Sequence, residues 1–152
     1  MGTKYQGTKK EIRALNAYIK LVRATESVTA RINRHLAQAG LSVSQFDVLE
    51  AIHHLGPLCQ RDIARKIRKS TGNITIVIDS LEKRGLVTRV RSDEDRRYFT
   101  INLTDEGEEY IKRFFPVYLA AIMDEMAILD DADQEKLGQL CRTIGMQEGG
   151  IG

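Results

Sequence analysis

Apolar positions recur along most of this chain at helical intervals and switch to alternation in one short stretch. Over 8–39, Ile12, Leu15, Ile19, Val22, Ile32 and Leu36 keep the helical spacing, which predicts one long helix ended by Gly40. A second helix is predicted where Phe46, Leu49, Ile52 and Leu55 form a stripe, with Ser42 and Gln45 as a capping box before it and Gly56-Pro57 as its stop. "CQRDIARKIRK" predicts a short third helix with Ile63, Ala64 and Ile67 inward. The next segment, "STGNITIVIDSLEKRG", sets two rules against each other. Its β-branched run from Ile74 to Ile78 favours a strand. Its period favours a helix, because Ile74, Val77, Ile78 and Leu81 share one helical face. Its punctuation agrees: Ser70 or Thr71 can cap the start, and Lys83-Arg84-Gly85 is a helix end with cations over the C-terminal dipole. A helix is the expectation.

Alternation begins at "LVTRVR", where Leu86, Thr88 and Val90 share one face and Val87, Arg89 and Arg91 the other. It resumes at "YFTINL", with Phe99, Ile101 and Leu103 on one face. The pair reads as a β-hairpin whose charged connection, 92–97, is too long for a two-residue turn and so protrudes as a loop. Thr104 then caps a helix that opens on Asp105, Glu106, Glu108 and Glu109, acids that suit the positive end of a helix dipole. Pro116 is expected to kink that helix or interrupt its hydrogen bonding rather than end it, since the apolar pattern continues to Ile128 and Leu129. Asp131 or Asp133 starts a last helix carrying Leu137, Leu140 and Ile144. There is no internal repeat and no low-complexity segment.

The 152 residues suit one domain with helical extensions, large enough to bury a core without disulfide staples. Cys59 and Cys141 are too few for a secreted framework and lack paired metal-ligand spacing, which points to a reducing, cytoplasmic setting. The best apolar run, 114–123, is half a membrane span, and Gln6 stands where a myristoylation signal wants Ser or Thr. A soluble protein is expected. The net charge of +2 conceals a division along the chain. Counting Lys and Arg against Asp and Glu, residues 61–97 hold 11 against 6, whereas residues 98–152 hold 4 against 11. A basic middle in an otherwise neutral-to-acidic chain is the footprint of a surface that neutralises phosphates.

The predicted order gives a mainly α fold with a small β-hairpin wing (α+β): a winged helix-turn-helix with helical arms at both ends. Over roughly 12–144 the chain resembles the MarR family of transcription regulators. The resemblance is carried by "LSVSQFDVLEAI", "GPLCQRDIARKI", "STGNITIVIDSLEKRGLVTRV" and above all "DEDRRYFTINLTDEG", which looks like that family's wing signature. "RFFP" at 113–116 is similar to a branch that includes quinone- and aromatic-responsive repressors. The resemblance implies a homodimer held by helical regions 1–40 and 105–147, with 41–104 binding double-stranded DNA at a pseudo-palindromic operator. It implies recognition helices in successive major grooves and wings in the flanking minor grooves, with Arg97 inserted and Asp95 orienting it. It also implies a small effector in a mostly apolar pocket between the arms and the DNA-binding lobe, an aromatic or phenolic one if the branch holds.

The residues themselves suit that role. Opposite the apolar face of the fourth helix stand Gly72, Asn73, Ile76, Asp79, Ser80 and Lys83. Small and amide side chains there allow close approach to base edges, and Asn73 can pair with adenine. Thr71 and Thr75 suit phosphate or thymine-methyl contacts, and Ser70 with the helix N-terminus suits a phosphate oxygen. An apolar Ile76 on a water-facing side calls for a base methyl or a neighbouring element to cover it. Arg96 suits a phosphate or a partner within the wing, and Arg89 and Arg91 extend the basic side. For effector contact, His35, His53, His54, Tyr110 and Tyr118 are candidates by location only. Cys59 stands at a helix N-cap position, where a thiol is more often structural than redox-active.

Two other classes compete. Asp93, Glu94 and Asp95 could be carboxylates for metal-assisted hydrolysis, but three consecutive loop residues cannot converge on one ion and no second cluster completes a site. No catalytic residue, metal or cofactor is therefore expected. A winged-helix protein-interaction module is the stronger rival, and Arg89, Arg91, Arg96 and Arg97 together argue for DNA instead.

Overall fold

Helix starts follow the capping residues. In the computed structural model, which describes residues 2–67 and 71–146, Thr8 opens α1 (Lys9–Leu36) and Ser42 opens α2 (Val43–Leu55). Each start carries a full capping box, to Glu11 and to Gln45 respectively. A single 3₁₀ turn (Ala37–Ala39) and Gly40, at φ 73°, separate these helices. After β1 (Leu58–Cys59) come α3 (Gln60–Ile67), α4 (Thr71–Lys83), β2 (Val87–Arg91), β3 (Phe99–Leu103), α5 (Asp105–Met126) and α6 (Asp131–Gly145). Asp130, one residue ahead of the expected acids, caps α6 by accepting from the Asp133 N–H at 2.8 Å.

The conflict over 71–83 is resolved by burial. As a helix, α4 turns Ile74, Ile78 and Leu81 fully into the core, and Val77 is half-buried beside them. A strand would split these residues between two faces. Burying each apolar side chain gains about 1.5–3 kcal/mol, several times the local preference of a β-branched residue. The end of α4 is a Schellman turn: Leu86 N–H bonds Leu81 O at 3.1 Å, Gly85 N–H bonds Glu82 O at 3.0 Å, and Gly85 takes φ 73°. That turn delivers the chain directly into β2.

The sheet differs from the expected two-stranded hairpin. Leu58 and Cys59 add a third strand, antiparallel to β3 with Leu58 opposite Ile101 and Cys59 opposite Thr100, so the order is β1-β3-β2. Two residues are too few to show alternation in sequence, yet they pair one edge of β3. Cross-strand partners Val87/Leu103, Arg89/Ile101 and Arg91/Phe99 share a face, and Val87 and Ile101 bury it. Leu86 is buried as well, through the Schellman turn rather than through strand alternation.

The core joins both helical arms to the winged lobe. Leu36 of α1, Phe46 and Leu49 of α2, Ile63 of α3, Ile74 and Ile78 of α4, Ile101 of β3 and Ile111 of α5 are all fully buried in one cluster. The Phe46 ring stacks on Tyr118 at 5.2 Å, and α5 runs on through Pro116 against both α1 and α2. Arg84, just past α4, donates to Gly40 O and lies 5.6 Å from the Tyr110 ring, whose hydroxyl donates to Ala39 O. The end of α4 and the α1–α2 corner are thus tied together.

The outer arms are different. The buried residues of α1 are Ile32 and Leu36 alone, and α6 buries none of its described residues. Leu15, Tyr18 and Leu21 of α1, Val117 of α5, and Leu137, Leu140 and Ile144 of α6 are exposed. Phe114, Tyr118 and Ile122 instead pack half-buried against the core. Among the described residues no helix is long and apolar enough to cross a membrane.

Candidate nucleic-acid interface

Two projecting elements, α4 and the wing loop between β2 and β3, carry the candidate residues. Thr71 and Gly72 open α4, and Asn73, Ile76, Asp79 and Lys83 are exposed along it. Ser70 lies outside the described residues. Ile76 is 68% exposed, so no neighbouring element of this chain covers it. Two hydroxyls turn inward. Thr75 is half-buried and its hydroxyl accepts from Gln60 Nε2 at 2.5 Å. Ser80, read from sequence on the outward side, accepts from Gln45 Nε2 at 2.9 Å, a correction that follows from the packing of α2 on α4. Gln45 therefore has two tasks, since its Oε1 also accepts from the Ser42 N–H at 2.8 Å.

At the wing tip, Arg97 grips Asp95 through its side chain, with Nε bonding Oδ1 at 3.0 Å and Oδ2 at 3.2 Å and Nη2 bonding Oδ2 at 2.7 Å. The Arg97 backbone N–H adds a bond to Oδ1 at 3.1 Å. These bonds hold the Asp95 carboxyl below the usual carboxylate range and push the Arg97 guanidinium above its ordinary value. The Arg97 side chain is nonetheless 82% exposed: a cation held in place with its outer face open to solvent. Backbone bonds from Ser92 N–H to Tyr98 O and from Tyr98 N–H to Asp95 O shape the loop that holds it.

The other arginines divide. Arg96 is exposed. Arg91 is exposed too, but its guanidinium lies 4.7 Å from the Phe99 ring and donates to Arg96 O, bracing the loop from the side. Arg89, on the same face of β2 as Arg91, is committed to α4 instead. It reaches Asp79 at 2.5 Å and Glu82 at 2.8 Å, both on α4, and only 23% of its side chain is exposed. Its expected place on an open basic side is not what the fold provides, because Asp79 and Glu82 of α4 lie within its reach. Beneath the wing, a groove of about 430 Å³ is lined by Cys59, Arg61, Arg65, Glu94, Asp95 and Tyr98, with Arg61 5.3 Å from the Tyr98 ring. Arg61 and Arg65 were not singled out from sequence; their places in a basic amphipathic helix next to the wing were the available signal. Among the described residues no group of three or more His, Cys, Asp or Glu could hold a metal ion.

The effector candidates are mostly committed to contacts within the chain. Tyr118 donates to Asp47 at 2.5 Å, and burial together with that bond holds its phenol above the usual range. His53 pairs with Glu108 at 2.9 Å and His54 with Glu50 at 3.2 Å. His35 instead lines, with Arg34, Gln38, Pro116 and Val117, a groove of about 530 Å³ between α1 and α5.

Comparison with known proteins bears on the whole arrangement. The MarR family model matches residues 41–99, the segment from Leu41 through α2, β1, α3, α4 and β2 to the end of the wing loop. Over 134 residues, 88% of this chain and 92% of the relative, the sequence is 31% identical to the HTH-type transcriptional regulator MhqR of Bacillus subtilis. The chain belongs to the MarR family. It is a DNA-binding transcriptional regulator of the ligand-responsive kind. Sco3205 of Streptomyces coelicolor, a MarR family transcriptional regulator solved in complex with DNA, shares the fold at a TM-score of 0.82 and 22% identity. That match covers 96% of this chain and 94% of Sco3205. CouR of Rhodococcus jostii RHA1, solved bound to p-coumaroyl-CoA, is similar at a TM-score of 0.75 and 25% identity, over 86% of this chain and 92% of CouR.

Proposed function

We propose that this MarR-family regulator is a cytoplasmic, homodimeric repressor that reads a pseudo-palindromic duplex and releases it on binding a small aromatic or phenolic molecule. The observation that carries the reading is the wing tip, where an exposed arginine is held by a carboxylate beside an exposed recognition helix. In this reading Ser70 and the N-terminus of α4 take phosphate, Thr71, Gly72 and Asn73 approach base edges, and the Thr75 and Ile76 apolar groups cover thymine methyls. Lys83, Arg91 and Arg96 neutralise phosphates, and Arg97, oriented by Asp95, enters the minor groove. No catalytic step is assigned.

Regions 1–40 and 105–147 form the dimerisation arms in this reading. The exposed apolar side chains of α1, α5 and α6 support it, since such a face in water favours a second copy. Sedimentation at micromolar concentration is expected to give the mass of two chains; a mass of one chain overturns the dimer. The effector reading is supported by the aromatic thioester that CouR was solved with and by the α1–α5 groove containing His35. The function is tested by fluorescence anisotropy on a duplex from upstream of the protein's own coding sequence and on an unrelated duplex of equal length. Tighter, salt-dependent binding to the first, weakened by a phenol, quinone or salicylate-like acid, is the expected result. Equal affinity for the two duplexes is the result against it.

A further inference from the structure

The recognition helix carries two carboxylates, Asp79 and Glu82, on a surface that has to approach phosphates. Left alone they would repel DNA. Both are met by one side chain from the wing: Arg89 Nη2 donates to Asp79 Oδ1 at 2.5 Å and Nη1 donates to Glu82 Oε1 at 2.8 Å. The Arg89 N–H adds a bond to Glu82 Oε2 at 3.3 Å. An arginine with its fork spread over two acids has little charge left for a phosphate, and reaching one would mean breaking both pairs.

The placement has a mechanical consequence. Along the chain, α4 passes into β2 through the Schellman turn at Gly85-Leu86, and the base of the hairpin is seated in the core by Val87 and Ile101. Arg89 adds a polar attachment from the middle of β2, opposite Ile101, to two positions one helical turn apart on α4. This polar tie limits how far the outer part of the hairpin can bend away from α4. The distance between the groove-reading face of α4 and the Arg97 tip then becomes a property of the fold, set before DNA arrives.

We propose that Arg89 is a positioning residue for DNA recognition: it neutralises Asp79 and Glu82 and locks the wing to the recognition helix, and it does not itself contact DNA. This rests on the DNA-binding reading above, and the experiment separates the two. Wild-type protein is first titrated on the upstream and unrelated duplexes; failure to discriminate defeats the underlying reading and not this one. With a selective wild type, the variant Asp79→Asn/Glu82→Gln removes two acids per chain and frees Arg89. If Arg89 were a phosphate contact, both duplexes would bind more tightly and their affinity ratio would stay the same. The locked-wing arrangement predicts that the unrelated duplex binds more tightly while the ratio falls by about tenfold or more, a loss of roughly 1.4 kcal/mol in discrimination.

The decisive companion is the charge swap Glu82→Arg/Arg89→Glu, which keeps the net charge and restores an ion pair across the same gap. It is expected to recover most of the ratio lost in Arg89→Glu alone, with circular dichroism melting temperatures of all variants within a few degrees of wild type. An unchanged ratio in the double neutral variant overturns the proposal. So does a swap no better than Arg89→Glu. Should a neutral variant fail to fold, the swap against its single parent still decides.

Discussion

Replacing Arg97 by alanine is expected to lower operator affinity by about tenfold or more and to reduce the slope of log affinity against log salt by about two units per dimer. The melting temperature should not move, because the side chain is 82% exposed and touches no core residue. The sharper half of the prediction is Asp95→Ala. Removing a negative charge beside DNA should tighten binding on simple electrostatic grounds. The geometry predicts looser binding, since Asp95 Oδ1 and Oδ2 hold the Arg97 guanidinium at 3.0 and 2.7 Å and a freed arginine loses orientational entropy on entering a groove. The pair is charged throughout the neutral range. Asp95 is held below the usual carboxylate range, so the grip is lost only as pH falls through that depressed value, below where a free aspartate would protonate. Titrating both variants on one operator at several salt concentrations decides the matter. An Asp95→Ala dimer that binds more tightly at an unchanged melting temperature makes the wing an ordinary charged loop.

The second large effect concerns folding. Gly107 sits in the first turns of α5 with its Cα against the Leu86 carbonyl, and a Cβ there would stand 2.0 Å from Leu86 O. That oxygen cannot easily retreat. It accepts from the Thr104 N–H at 3.1 Å, while the Thr104 hydroxyl donates to Gly85 O at 2.6 Å and caps α5 by accepting from the Gly107 N–H at 3.0 Å. Helix propensity alone favours Gly→Ala by about 1 kcal/mol. Here the close approach wins, and Gly107→Ala is expected to destabilise the protein by about 3 kcal/mol, lowering the melting temperature by roughly 10 °C. Calorimetry on the variant checks the sign. A melting temperature at or above wild type would mean that α5 enters with slack, and that the joint between wing and arm is not tight.

Much of this could be read along the chain because it depends on near neighbours. Ser42 and Gln45, three residues apart, make their capping box whatever lies beyond them, and Thr104 caps α5 for the same reason. The helix over 71–83 could be read despite its β-branched residues, since the period of Ile74, Ile78 and Leu81 reflects a buried face, and burial outweighs local preference. The pairing of Asp95 with Arg97 in "DEDRR" was implied by the family resemblance, and the loop closes the two residues on each other. Features set by contacts distant in sequence were not available in this way. Leu58 and Cys59 become a strand only because β3, more than forty residues later, passes beside them. Gly107 matters only because Leu86 O comes within reach of its Cα. Arg89 looks from sequence like one more basic residue of the wing, and it is the packing of β2 on α4 that brings it between Asp79 and Glu82 and removes it from the open surface. Short-range chemistry made the helices, the β2–β3 hairpin, most caps and the charged loop legible along the chain. Tertiary structure alone decided which cations remain free, because a charge is committed or available according to what folds up beside it.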